Sequence, residues 1–275
     1  MMRLSCMSLS YQRCFQRKEM DIFTFLEACR NINLDAASFH LRSLAETTPE
    51  HLKRVRRKYF DLGLALGAIG VTTDFGLSRE KLREELEKAR EGIRVAMFLG
   101  APTVRVFAGS PPDELQREDA FKRAVEGLRR VAEEGAEAGV PVSLQNHNHR
   151  ALARTGHDVL RFLREVDHPN LTVILDTGQF AGSKGASDYR GSSPELQDVN
   201  LYQSIQEVAP LARYVRAKIY DLDSTGRERW IDYKRVFNIL HSVHYHGIVD
   251  IVYEGKADEK VEVARAAKFL RPYLT

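Results

Sequence analysis

The stretch APTVRVFAGSPPDELQREDAFKRAVEGLRRVAEEGAEAGVPVSLQNHN, residues 101–148, decides the fold. It opens with TVRVFA (103–108), a short alternating run rich in β-branched residues, which reads as a strand. DELQREDAFKRAVEGLRRVAEEGAEAG (113–139) follows, with Phe121, Val125, Leu128 and Val131 recurring at the three- and four-residue spacing of one helix face. VSLQN (142–146) returns to strand character. A strand, an amphipathic helix and a second strand form a unit whose two strands run parallel.

The same alternation extends in both directions. Further strand segments are RLSCMSL (3–9), LDAASF (34–39), LALGAIGV (64–71), LTVILD (171–176), YVRAKIY (214–220) and IVDIVYE (248–254). The segment SREKLREELEKAREGIRVAMFLG (78–100) reads as a helix. Ser78 stands at its cap, Leu82, Leu86 and Ile93 share one face, and Gly100 is the stop. Eight strands alternating with helices, without a composition break, predict a single (β/α)8 TIM barrel over residues 1–275. A doubly wound open sheet is the alternative, but no Gly-x-Gly-x-x-Gly follows the first strand.

Composition narrows the class of protein. Of 275 residues, 43% are hydrophobic and 29% charged, an ordinary globular balance. Forty-one basic against 38 acidic residues leave +3, too near balance to imply a nucleic-acid partner. Cys6, Cys14 and Cys29 match no zinc spacing and read as free thiols. No apolar run reaches membrane-spanning length, and MMRLSCMSLSYQRC has no continuous signal-like region, so a cytoplasmic protein is expected.

Strand alternation then selects the side chains that meet inside the barrel. With Gln145 inward, Ser143 and His147 follow, while Val142, Leu144 and Asn146 face the helices. The same rule turns Thr103, Arg105 and Phe107 inward, with Thr172, Ile174 and Asp176, with Tyr214, Arg216, Lys218 and Tyr220, and with Asp250, Val252 and Glu254. Arg105, Gln145, His147, Asp176, Arg216, Lys218 and Glu254 therefore converge, most of them near strand C-termini. Taken singly, Asp176 could cap the next helix and Arg105 could serve a structural ion pair. Charges brought together there must compensate one another or a ligand, so a small-molecule site is expected.

Three other features draw attention. TGQFAGSKGASDYRGSSPELQ (177–197) is a long polar connection, read either as a lid over the C-terminal face or as an insertion. His241, His244 and His246 resemble a metal tract, but they precede the eighth strand and so lie toward the opposite end, as a solvated helix end. RVRRK (54–58) reads as a solvated outer face.

Read in order, LGAPTVRVFAG, QNHN, LDTGQF, VRAKIYDLDSTG and IVYEG, with MDIFTFLEACRNINLDAASFH before them, resemble the sugar phosphate isomerase/epimerase family with its xylose-isomerase-like barrel. The resemblance implies chemistry on sugars or polyols, through isomerisation, epimerisation or dehydration. It also implies one divalent ion (Mn, Mg or Zn) held by a Glu, an Asp, a His and a Glu at the ends of the last four strands. Asp176 and Glu254 keep that pattern. Gln145 stands where the first Glu is expected, and Arg216 where the His would be. A Gln carbonyl coordinates a hard cation weakly, and a guanidinium cannot coordinate at all.

Two readings of the metal position follow. Asp176, Glu254 and Gln145 hold an ion, or the Arg216 guanidinium bridges Asp176 and Glu254 in its place. In either, Glu254 is the expected base, Lys218 or His147 the acid, and Arg105, Gln145, Gln179 and Arg216 the substrate-binding groups. Gln145 cannot act as a second base, which favours isomerisation or β-elimination over two-base epimerisation. A sugar-binding protein without catalysis is the runner-up, and an abasic-site endonuclease is disfavoured by the few inward histidines. A homo-oligomer is left open.

Overall fold

A computed structural model describes residues 1–113, 116–148, 150–186 and 197–275. Its centre is a closed barrel of eight parallel strands in chain order: β1 Arg3–Met7, β2 Ala36–His40, β3 Ala65–Gly70, β4 Val104–Val106, β5 Val142–Gln145, β6 Leu171–Asp176, β7 Ala212–Ile219 and β8 Ile248–Tyr253. β1 pairs with β8, Ser5 opposite Asp250, and closes the ring. The strand segments read from sequence all occur, shortened or extended by a few residues at their ends.

Helices connect the strands and cover the barrel. Among the described residues they are α1 Gln12–Gln16, α2 Ile22–Asn31, α3 Pro49–Leu62, α4 Arg79–Leu99, α5 Arg117–Glu137, α6 Gly156–Val166, α7 Leu201–Val208, α8 Tyr233–Ser242 and α9 Glu259–Leu270. Local chemistry accounts for several ends. Thr48 caps α3 with Pro49 in its first turn, and Thr155 forms a capping box with Asp158 on α6. Gly100 closes α4 in the left-handed region, as its position predicts. Ser78 occupies the N-cap of α4 with extended backbone, but its side chain makes no cap bond. α5 starts at Arg117 and buries Phe121, Val125, Leu128 and Val131, the stripe read from the sequence. No helix among the described residues is long and apolar enough to cross a membrane.

Inside the barrel the side chains form layers. Ala36, Ala68, Ile174, Tyr214 and Ile248 pack as a small apolar cluster separate from the main core between strands and helices. Polar groups flank it. Thr103, Ser143 and Thr172 join hydroxyls across β4, β5 and β6 at 2.6 and 2.7 Å. Ser38 contacts the Tyr214 hydroxyl at 2.6 Å and donates to Asp250 Oδ1 at 2.9 Å. These contacts join the inward sets predicted by alternation.

Outside, RVRRK lies on α3, with Val55 buried and Arg54, Arg56 and Arg57 laid over the rings of Phe23, Phe98 and Phe60. Of the predicted lid over 177–197, residues 187–196 fall outside the described residues.

Candidate active site

The polar centre lies at the C-terminal ends of β5 to β8. Asp176, the last residue of β6, is fully buried, and register places it beside Arg216 of β7. Its Oδ1 accepts from the Gly178 backbone N–H at 3.1 Å. Its Oδ2 accepts from Gln145 Nε2 at 2.9 Å and lies 3.5 Å from Lys218 Nζ. Lys218 Nζ in turn donates to Glu254 Oε1 at 2.7 Å. Behind Gln145, Arg216 Nη1 donates to its Oε1 at 2.7 Å, and Nη2 lies 3.4 Å from the Met7 sulfur. One continuous chain thus runs from Arg216 through Gln145, Asp176 and Lys218 to Glu254.

The members differ sharply in exposure. Lys218 and Asp176 are buried, whereas the Glu254 side chain is 43% exposed. Burial pushes the Asp176 carboxyl above its ordinary value; the Lys218 ammonium works against that rise and Glu254 adds to it. Backbone positions are held by a further layer. Thr177 Oγ1 accepts from the Lys218 N–H at 3.1 Å, and the Tyr233 hydroxyl donates to the Lys218 carbonyl at 2.6 Å.

Arg216 does not bridge the two carboxylates, contrary to one expectation from the sequence. Its guanidinium reaches Gln145 and Met7, and among the described residues it has no carboxylate within 4 Å. The cation between Asp176 and Glu254 is Lys218.

Arg105 lies deeper. Its Nη1 donates to the Val71 carbonyl at 2.9 Å, and its guanidinium covers the Phe107 ring at 4.1 Å. Gly70 makes the room, since a Cβ there would approach Arg105 Nη2 to 3.0 Å. Burial and the neighbouring Arg216 press the Arg105 pKa well down, with Asp176 pulling it up. His147 meets the Phe107 ring edge-on at 5.0 Å. Thr72, Asp74, Phe107, Ser110, Gln145 and His147 line a cleft of about 250 Å³ above the ends of β3 to β5. Gln145 belongs to both cleft and charged chain, so a ligand in the cleft touches the chain's middle. Gln179 is buried in the turn after β6, and its Oε1 has no partner among the described residues.

Two residues that sequence reasoning missed shape this centre. Asn146, expected to face the helices, turns its amide to the Asp176 backbone, donating to the carbonyl at 2.9 Å and accepting from the N–H at 2.8 Å. His40, at the end of β2, sits near Arg105, and its Nε2 contacts Thr72 Oγ1 at 3.0 Å. An inward alternation count on β2 would have found His40. Nothing in the sequence signals the Asn146 contact.

The three-histidine tract lies before β8 with all three residues exposed. His241 Nε2–H donates to the Tyr273 carbonyl at 3.0 Å. Among the described residues no group of three or more His, Cys, Asp or Glu is placed to hold a metal ion. The donor set at the barrel mouth does not fit the ion implied by the family resemblance either. The Gln145 carbonyl is occupied by Arg216, its NH2 faces Asp176, and an ammonium stands between the two carboxylates.

The fold and its mouth define a barrel with a polar centre at the strand C-termini. The chain belongs to the xylose isomerase-like TIM barrel family, whose model matches residues 26–273. Among solved structures it is similar to a D-tagatose 3-epimerase-like protein, with a TM-score of 0.78 and 17% identity over 99% of this chain and 97% of that one. It is also similar to the D-psicose 3-epimerase of Clostridium cellulolyticum H10, with a TM-score of 0.76 and 16% identity over 99% of each chain. Among curated proteins it is 28% identical over 134 residues to a 3-dehydroshikimate dehydratase of Pseudomonas putida. That match takes in 48% of this chain and 21% of the relative, so the chain spans about a fifth of the relative's length.

Proposed function

We propose that this protein is an isomerase-type enzyme acting on a sugar or polyol-derived carbonyl compound, with Glu254 removing a proton from the carbon next to the carbonyl. The observation that carries the reading is the Lys218 ammonium held between exposed Glu254 and buried Asp176. A substrate entering from the mouth can reach Glu254, whereas Asp176 lies behind it. As Glu254 takes the proton, negative charge leaves the carboxylate and develops on the substrate oxygen. Lys218 sits where it can follow that charge, releasing the neutralised carboxyl and donating to the oxyanion. Asp176 keeps the ammonium in place throughout.

Gln145 and His147 on the cleft wall supply hydrogen bonds to hydroxyls, with His147 or Lys218 returning the proton. Arg105, Arg216 and Gln179 complete the binding groups, Arg216 acting through Gln145. Gln145 at the end of β5 offers no second base for the opposite face of the carbon, which supports aldose–ketose isomerisation over two-base epimerisation. Elimination of water shares the same first step, and the partial likeness to a dehydratase favours it as the second reading.

The test is exchange of the activated hydrogen in D2O, followed by proton NMR across a panel of aldoses, ketoses and β-hydroxy ketones. The wild type should exchange one hydrogen of its substrate and Glu254→Gln should not. Exchange undiminished in that variant would overturn Glu254 as base. A new conjugated enone absorbance in place of isomerised sugar would assign elimination.

A further inference from the structure

We propose that Lys218 is a resident cation occupying the position where the family resemblance places a divalent ion, so that this site carries its positive charge on a side chain and excludes a metal. The inference rests on the geometry of the charged chain and does not depend on which reaction the protein performs.

Each potential ligand is already committed. Asp176 Oδ1 takes the Gly178 N–H, and Oδ2 takes both the Gln145 amide and the Lys218 ammonium. Glu254 Oε1 takes Lys218 at 2.7 Å. Gln145 is oriented by Arg216, which holds its carbonyl and turns its NH2 toward Asp176. A divalent ion between Asp176 and Glu254 would have to displace the ammonium and sit close to a guanidinium with no carboxylate partner of its own among the described residues. That arrangement brings like charges together in a buried place, where repulsion is costly. The residue types agree with the geometry. The β5 position carries a neutral amide instead of a carboxylate, and the β7 position carries a cation instead of an imidazole. Both changes raise the local charge, in the direction that loss of a divalent ion requires.

Lys218 is also placed with care. Its backbone N–H is held by Thr177 and its carbonyl by Tyr233, both buried. Its side chain packs against Gly178, where a Cβ would approach Lys218 Cγ to 2.5 Å. Such confinement keeps the ammonium between the two carboxylates.

Mn2+ binding to the full-length protein, read by electron paramagnetic resonance and by calorimetry, tests the inference without any substrate. Metal-free wild type should take up no stoichiometric Mn2+. Gln145→Glu alone, which keeps Lys218, should still bind poorly. Lys218→Met combined with Gln145→Glu should bind about one equivalent, more than about tenfold more tightly than either parent. Stoichiometric binding by the wild type, which keeps Lys218, would overturn the proposal. Stoichiometric binding by Gln145→Glu, which also keeps Lys218, would overturn it as well. Should the double variant fail to fold, the wild type and Gln145→Glu still decide. Failure of the exchange assay in D2O would leave this result standing, because the binding measurement involves no turnover.

Discussion

Lys218 Nζ lies 2.7 Å from Glu254 Oε1 and 3.5 Å from Asp176 Oδ2, so one ammonium serves a carboxylate at the mouth and another inside the barrel. The exposed member of the trio is the one expected to touch substrate. Glu254→Gln should therefore lower kcat/KM by about 10²–10⁴-fold, the usual worth of a general base. The Glu254 carboxylate is partly in solvent and Lys218 keeps Asp176 beside it, so stability should change by about 1 kcal/mol or less. Steady-state kinetics beside a thermal melt separates the two effects, and a large loss of stability would mean that Glu254 is structural.

Gly178 tests the placing of the ammonium without touching a charge. A methyl group there would lie 2.5 Å from Lys218 Cγ and 3.0 Å from Tyr220 Cε2. Gly178→Ala should push Lys218 off its two carboxylates and cost about 1–3 kcal/mol through overpacking. Turnover should fall more than stability alone explains, with kcat affected before KM. Unchanged kcat in the folded variant would show that the exact seat of Lys218 does not matter.

The barrel was legible in the sequence because its signals are local and repeated. TVRVFA and VSLQN flank a helix with a clear apolar stripe, and the pattern recurs around the ring. Inward alternation also picked out the charged residues, since Arg216 and Lys218 sit two positions apart on β7 and Asp176 on β6 pairs with Arg216. What alternation cannot convey is which side chain reaches which partner. Arg216 and Lys218 share a face of β7, and only their depth along the strand decides that Arg216 meets Gln145 while Lys218 meets the carboxylates. Asn146 was misread for a related reason. At the end of β5 the strand has stopped, and a polar side chain there turns to the neighbouring backbone instead of to a helix.

Asn146 gives a further prediction. Its amide satisfies both the N–H and the carbonyl of Asp176, at 2.8 and 2.9 Å, in a fully buried place. Asn146→Ala leaves the Asp176 N–H unpaired and its carbonyl with the Gln179 N–H alone, at 3.3 Å, which should cost about 1–3 kcal/mol. Asn146→Asp keeps the acceptor for the N–H but sets a carboxylate against the Asp176 carbonyl, so it should rescue little near neutral pH. Denaturant unfolding of the three proteins checks the order, and a near-neutral Asn146→Ala would show that water replaces the amide.

His40 gives a pH-dependent one. Its Nδ1 accepts from the Arg42 backbone N–H at 3.1 Å, which leaves the proton on Nε2, facing Thr72 Oγ1. The ring is therefore neutral. Burial, then Arg105, Arg42 and Arg216, lower its pKa from 6.5 to about 2. The unfolded chain thus binds a proton that the folded one refuses, and this contribution to stability is full above pH 6.5 and lost as the pH falls. The loss between pH 6.5 and pH 5 is on the order of 2 kcal/mol. Buried Asp176 and Asp250 have raised pKa values and so oppose it, gaining relative stability as the pH falls toward their ordinary range. Comparing His40→Gln with the wild type cancels those two terms. The variant should be the less acid-sensitive protein, its unfolding free energy dropping by about 2 kcal/mol less over that interval, as read by urea titration at each pH. Parallel pH profiles would place a proton on the folded-state imidazole and overturn the assignment of a neutral ring beside the two buried guanidinium groups.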